Sequence, residues 1–160
     1  MPIPQTKVYL TTALASGKAY KFLPNAVGDF SGTLTGSPNA AWIGAVNDLN
    51  GDGRPDFIFG APGDDDKDLD AGRVFIYLGA VAAGSTVQVA DSLNAVIIDG
   101  VNAGDRAGAA VGSVSDLNGD GKGEILIGAP GMENGAATDA GAAFVIWGTS
   151  TPGGIDLGDP

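Results

Sequence analysis

A nine-residue pattern rich in Asp, Asn and Gly occurs twice in this chain, at residues 48–56 and again at residues 116–124. The first copy reads DLNGDGRPD and the second reads DLNGDGKGE. Each copy runs directly into a short apolar segment that ends in Gly-Ala-Pro, at residues 60–62 and 128–130. Two copies in the same register indicate a repeat protein whose unit contains a polar loop followed by a buried strand.

Oxygen-bearing side chains at positions 1, 3, 5 and 9 of the loop are typical of a calcium site, because calcium takes six to eight oxygen ligands at about 2.3–2.6 Å. A glycine at position 6 permits the sharp turn that such a loop needs. We therefore predict two calcium sites. The first would use Asp48, Asn50, Asp52, Asp56 and the backbone carbonyl of Arg54; the second would use Asp116, Asn118, Asp120, Glu124 and the backbone carbonyl of Lys122.

Two other kinds of loop have similar sequences. An EF-hand or dockerin-like loop begins in the same way but requires a bidentate Glu at position 12, where this chain has Phe59 and Ile127. A metal-free hairpin turn is the simpler alternative, since Asn-Gly and Asp-Gly also favour hairpins. The second copy in register favours the metal site over the bare turn.

Roughly residues 40–148 resemble the FG-GAP repeats of integrin alpha-subunit propellers and of their bacterial relatives. The resemblance rests on the two loops, on the Gly-Ala-Pro segments after them, and on the closing apolar runs at 72–77 and 141–147. It implies an all-β fold of β-propeller blades, each an antiparallel four-stranded sheet, with a structural calcium in the hairpin between the first two strands. The chain departs from the family pattern at Glu124, where Asp is usual, and at Trp42 and Ile43, where a Phe is common.

The strand pattern divides the chain into N-terminal strands at 1–35, a first repeat at 36–100 and a second repeat at 101–160 that lacks its outermost strand. Because the ends fall out of phase with the blades, we expect a partial propeller or a blade-swapped assembly. Continuous apolar runs at 57–59, 125–127 and 145–147 predict sheets that are covered on both faces. Strands are predicted at 7–10, 18–23, 32–35, 42–47, 56–60, 73–78, 95–99, 109–115, 124–128, 142–147 and near 155–157.

Composition narrows the possible functions. The formal net charge is −11 and His is absent, which disfavours nucleic acid and anionic membranes as partners. No apolar run approaches the 18 residues of a membrane span, and without Cys there is no disulfide framework. No motif pairs a nucleophile with a base, so we do not expect an enzyme. The acidic segment 64–70 is interpreted as a solvated loop tip, in preference to a further cation site or an acidic docking surface.

The function predicted from the sequence is that of a calcium-binding FG-GAP β-propeller module in an extracellular or cell-surface protein, with a structural, adhesion or assembly role. A protein partner or self-association is expected, without membrane insertion. One alternative is a self-assembling structural subunit, forming a ring or a filament by blade completion between chains. Another is an accessory module of a secreted hydrolase.

Overall fold

The computed structural model describes residues 21–23, 42–79, 86–88, 94–133, 138–148 and 154–157. Regular structure in these ranges consists of ten strands, and the predicted strands at 7–10 and 32–35 lie outside them. No helix in this part of the chain has the length and apolarity needed to cross a membrane. The strands are β1 (Lys21–Leu23), β2 (Trp42–Val46), β3 (Asp56–Ala61), β4 (Arg73–Tyr77), β5 (Thr86–Gln88), β6 (Ala95–Asp99), β7 (Ala110–Val114), β8 (Glu124–Ala129), β9 (Ala142–Ile146) and β10 (Gly154–Asp156).

The first repeat forms the larger sheet, in the order β10-β6-β4-β3-β2. Strands β2, β3, β4 and β6 pair antiparallel, with Ile58 of β3 opposite Ile76 of β4 and Ile76 in turn opposite Val96 of β6. These four strands are the antiparallel blade predicted from the sequence, which we call the first blade. The fifth strand, β10, was not expected in this sheet, and it joins the outer edge of β6 in parallel.

The second repeat forms a three-stranded antiparallel sheet in the order β7-β8-β9, which we call the second blade. Its register matches that of the first blade, because Leu126 faces Val145 across the strand pair just as Ile58 faces Ile76. Both β3 and β8 begin at the ninth residue of their loop. Each loop therefore connects the first two strands of its blade, as the resemblance implied.

The main core lies between the two blades. Ile58 and Ile76 of the first blade are completely buried in one cluster with Ile125 and Ile127 of the second. On its opposite face the first blade buries a second cluster that includes Phe59 and Phe75. The prediction that the apolar runs are covered on both faces therefore holds for residues 57–59 in β3.

The second blade departs from that prediction. Leu126, Val145 and Trp147 are 39%, 47% and 55% exposed. Their counterparts in the first blade, Ile58, Ile76 and Leu78, are all buried in the inter-blade core. The same positions differ because the second blade covers this face of the first, whereas no described residue covers the equivalent face of the second blade.

Two short parallel strand pairs share one geometry. Thr86 of β5 pairs with Lys21 of β1, and Gly154 of β10 pairs with Ile97 of β6. Thr86 and Gly154 are separated by the same number of residues as the two loops. Lys21 and Ile97 are separated by the same number of residues as the segments GDFSG at 28–32 and GDRAG at 104–108. Strand β1 is thus paired with β5 as β6 is paired with β10, in each case with a strand from farther along the chain.

The blades are joined where the GDRAG segment crosses from one to the other. Gly60 lies so close to it that a Cβ at this position would be 2.1 Å from the carbonyl oxygen of Gly108. The N–H of Ala107 donates to the carbonyl of Ala71 at 2.9 Å, beside a parallel bridge between Ala107 and Gly72. The glycine that opens the Gly-Ala-Pro segment is therefore required by contact between backbones.

Candidate metal sites

Both loops wind around the carboxylate of their first residue. In the first loop, Oδ1 of Asp48 accepts the N–H of Gly51 at 2.6 Å and Oδ2 accepts the N–H of Gly53 at 2.6 Å. In the second loop, Asp116 accepts the equivalent bonds from the fourth and sixth residues at 2.7 and 3.0 Å. The glycines at these positions all have φ between 79° and 86°, a backbone region that side chains disfavour. The glycine at position 6, predicted to permit the turn, therefore also donates an N–H bond that shapes it, and the glycine at position 4 does the same.

The middle of each loop also follows one plan. The N–H of Asp52 donates to the side-chain oxygen of Asn50 at 3.0 Å, and the N–H of Arg54 donates to Asp52 at 2.9 Å. The second loop has the same two bonds at 2.9 Å each, to Asn118 and Asp120. Side chains that bond the backbone two residues on form compact turns without help from the rest of the protein. The first seven residues of the loops are thus locally equivalent.

The environment of Asp48 favours its ionised form. Burial by itself raises the pKa of this carboxyl group, but the N–H groups of Gly53, Gly51, Asp52 and Asn50 outweigh that cost. The net pKa lies below the ordinary value, because hydrogen bonds to the carboxylate stabilise the charged state. Asp48 is therefore prepared to interact with a cation at neutral pH.

The ninth residue is where the two loops differ. In the first loop Asp56 is buried, and both of its oxygens accept backbone bonds: Oδ2 from Leu49 at 2.8 Å and Oδ1 from Gly79 at 2.7 Å. Burial raises the pKa of Asp56 despite these bonds, with a further increase from the nearby charges of Asp52 and Asp48. In this structure Asp56 connects the loop to the residues that follow β4.

In the second loop Glu124 is also completely buried, but only one of its oxygens is bonded. Oε2 accepts the N–H of Leu117 at 2.6 Å, whereas Oε1 is buried without a hydrogen-bond partner. The side-chain oxygens of Asp116, Asp120 and Glu124 lie within 4.8 Å of one another. A buried carboxylate oxygen without a donor is costly, and a bound cation would remove that cost. The donor set at the second loop therefore fits a hard cation.

The predicted ligands are thus placed differently in the two loops. Three carboxylates of the second set converge, and the carbonyl-bearing residue Lys122 lies between Asp120 and Glu124 in the chain. No equivalent trio is found at the first loop, all of which the structure describes, and there both oxygens of Asp56 accept N–H bonds, from Leu49 and Gly79. The role of Gly79 as a donor to Asp56 was not predicted from the sequence. Its only signal is that a glycine recurs at the equivalent place in the second repeat, at position 148.

The acidic segment 64–70 is organised around a cation supplied by the chain itself. The guanidinium group of Arg73 forms an ion pair with Asp66 through Nη1, and its Nε lies 2.5 Å from Oδ1 of Asp99. Nη1 also lies 3.6 Å from Oδ1 of the buried Asp64. Asp65, Asp66 and Asp68 remain exposed. Most of the segment is therefore the solvated tip that was predicted, but Asp64 belongs to an internal ion-pair network.

The fold and the loops define a class of protein: a β-propeller-type repeat, built of antiparallel blades that each carry an oxygen-rich loop between the first two strands. The family model described as FG-GAP repeat matches residues 39–77 and 107–146, which contain the two loops and the strands after them. The chain is an FG-GAP repeat protein.

Similarity to known proteins extends beyond the matched repeats. The chain is 33% identical over 131 residues to integrin alpha-5 of Xenopus laevis, covering 77% of this chain and 11% of that protein. It is 34% identical over 125 residues to human integrin alpha-IIb, covering 73% and 11%. It is also 32% identical over 109 residues to the mouse phosphatidylinositol-glycan-specific phospholipase D, covering 68% and 13%. The chain thus spans about a tenth of the length of these relatives.

Proposed function

We propose that this chain is a calcium-stabilised β-propeller module that acts in structure, adhesion or assembly. The observation that carries the proposal is the second loop, where three carboxylates converge and one buried oxygen of Glu124 lacks a donor. Such an arrangement is unfavourable for a folded protein unless a cation balances it. The first loop supports the proposal because its first and third to seventh residues share four hydrogen bonds with the second loop.

The residues that would hold calcium are those predicted from the sequence. In the second loop these are the side chains of Asp116, Asn118, Asp120 and Glu124 with the carbonyl of Lys122. Calcium bound there would neutralise the carboxylates and fix the entrance to β8. Because oxygen ligands and water fill such a site, it offers calcium a structural role, and we assign the module no catalytic activity.

Thermal unfolding in calcium and in chelator tests the proposal. Extracellular calcium modules have dissociation constants of about 0.1–1 mM, so each site should contribute about 0.4–1.4 kcal/mol of stability at 1 mM calcium. We expect the melting temperature to rise with calcium and to fall on chelation. An unchanged midpoint, together with no calcium bound at equilibrium dialysis, would reject the proposal. Magnesium at the same concentration controls for general screening of the acidic surface.

An extracellular or cell-surface location and a protein partner are proposed from the relatives, which include integrin alpha subunits. Millimolar calcium is also the concentration range in which weak calcium modules are occupied. Two-colour labelling of intact and permeabilised cells that express the full reading frame would test the location. Signal from permeabilised cells alone would contradict it.

A second candidate function is assembly through the uncovered face of the second blade. Leu126, Val145 and Trp147 are exposed there, while the same positions of the first blade are buried against a neighbouring blade. The face presents the same strand positions that form the blade-to-blade contact in the first blade, so a blade of a longer propeller or of another copy is the natural occupant. Light scattering should show concentration-dependent oligomers that require residues 1–35. A stable monomer at every concentration would contradict assembly between copies.

An accessory module of a secreted hydrolase remains a further alternative. It is favoured by the similarity to a phosphatidylinositol-glycan-specific phospholipase D. A catalytic domain encoded in the same reading frame would support it, and a frame that encodes repeats alone would exclude it.

A further inference from the structure

The two loops lie against each other across the boundary between the blades. The N–H of Gly123, the eighth residue of the second loop, donates to the carbonyl of Asp48, the first residue of the first loop, at 2.7 Å. Next to this bond, the N–H of Asn47 donates to the hydroxyl of Ser113 at 3.2 Å. The loops are therefore parts of one packed unit, and a residue of one can act on the other.

Lys122 belongs to the second loop by sequence but reaches the first loop with its side chain. Its Cγ and Cε lie 3.7 and 4.0 Å from the point that a Cβ on Gly51 would occupy. The N–H of Gly51 donates to Oδ1 of Asp48 at 2.6 Å, so this is the part of the first loop that surrounds the first predicted ligand. The ammonium group is one bond beyond Cε. It is therefore within roughly one Debye length, about 10 Å at 0.1 M salt, of the first loop's carboxylates.

We propose that Lys122 lowers the calcium affinity of the first loop across the blade boundary, although it is not a ligand there. This inference rests on the proposed function, in which both loops bind calcium. A fixed positive charge beside a cation site repels the cation, and the repulsion is screened by salt. The ninth residues also weaken calcium binding at the first loop relative to the second. Both oxygens of Asp56 already accept N–H bonds, whereas one oxygen of Glu124 has no donor and can bind a cation.

The test is a calcium titration followed by amide NMR, which observes each loop separately. The N–H groups of Gly53 and Gly121 each donate to the first Asp of their own loop and serve as reporters. In Lys122→Met we expect the dissociation constant of the first loop to fall about two- to fivefold. The second loop keeps all its ligands in this variant, because the backbone carbonyl of residue 122 is retained, and the charge lost from its own seventh residue should lower its dissociation constant as well.

Two controls separate charge from packing. Lys122→Arg keeps the charge and should leave both dissociation constants at wild-type values. In 1 M KCl, where the Debye length is about 3 Å, the difference between wild type and Lys122→Met should disappear. If Lys122→Met does not fold, Lys122→Gln removes the same charge with a more polar side chain.

The possible outcomes distinguish this inference from the proposed function. If neither reporter shows saturable shifts in the wild-type protein, calcium binding itself is wrong. If both loops titrate but Lys122→Met leaves the first loop unchanged, the inference alone is overturned. It is also overturned if Lys122→Met and Lys122→Arg change the first loop equally, since packing would then be the cause.

Discussion

The two repeats of this protein place similar residues in different surroundings. Ile76 and Val145 occupy one position in the blade, yet the first is completely buried and the second is about half exposed. Asp56 and Glu124 occupy one position in the loop, yet the first is held by two backbone donors and the second by one. Local sequence therefore determines the shape of each repeat, whereas contacts distant in sequence, within a blade for Asp56 and between blades for Ile76, determine the energetic importance of each residue.

The largest difference between the repeats should come from the blade faces. Ile76→Ala removes a side chain from the inter-blade core and should cost about 2–5 kcal/mol of unfolding free energy. Val145→Ala removes a similar group from an exposed position and should cost less than about 1 kcal/mol. Urea denaturation of both variants measures the contrast. Equal losses would mean that something covers the second blade in solution.

The next largest difference should come from the glycines that open the two Gly-Ala-Pro segments. A Cβ at Gly60 would lie 2.1 Å from the carbonyl oxygen of Gly108, so Gly60→Ala forces the blades apart and should cost about 3 kcal/mol. At Gly128 the atom nearest to such a Cβ is the Cβ of Ala110, at 3.3 Å. Gly128→Ala should therefore cost less than about 1 kcal/mol. If Gly60→Ala loses little unfolding free energy, the junction between the blades is looser than this contact implies.

Substitutions at the ninth residues of the two loops should differ most clearly in their cost to stability when a chelator has removed calcium. Asp56→Asn places an amide NH₂ against a backbone N–H and should cost about 1.5–3 kcal/mol even without a cation. Glu124→Gln can keep the bond from Leu117, so its cost in chelator should be within about 1 kcal/mol. With calcium present, Glu124→Gln should lose the calcium-dependent part of its stability. Melting curves of the two variants with and without calcium check this, and equal costs in chelator would remove the distinction.

The smallest effects concern the loop centres. Asp52→Ala and Asp120→Ala should each abolish calcium binding at their own loop, which removes about 0.4–1.4 kcal/mol at 1 mM calcium. Asp68→Ala, in the exposed acidic segment, should leave both sites occupied. Calorimetric titration gives the number of sites in each variant. If Asp68→Ala is as damaging as Asp52→Ala, the division between loop and acidic surface is wrong.

Much of this fold could be predicted from the sequence, because the repeat fixes both the strand positions and the loop geometry. Strand β3 was expected at 56–60 and is found at Asp56–Ala61, and β6 was expected and found at 95–99. The glycine at position 6 was expected to permit a turn, and Gly53 and Gly121 both have positive φ. These features depend on local preferences that the sequence expresses directly.

What could not be predicted depends on contacts distant in sequence. The pattern treats Asp56 and Glu124 as equivalent ligands, because the bond from Gly79 to Asp56 exists only once β4 has packed beside β3. The pairing of β10 with β6 was equally hidden. A strand of three residues has too little periodicity to indicate its partner, and the repeat pattern places β10 in the second repeat.

The position of β10 has a consequence for how this protein would aggregate. A strand edge with unpaired N–H and C=O groups is a template for the addition of another chain. In the first blade β6 would present such an edge, but β10 lies along it. Because β10 follows the second blade in the chain, local unfolding there would release β10 and expose the edge of β6, together with the core face that Ile58 and Ile76 form against the second blade. Damage to the second repeat would thus make the first repeat prone to aggregation.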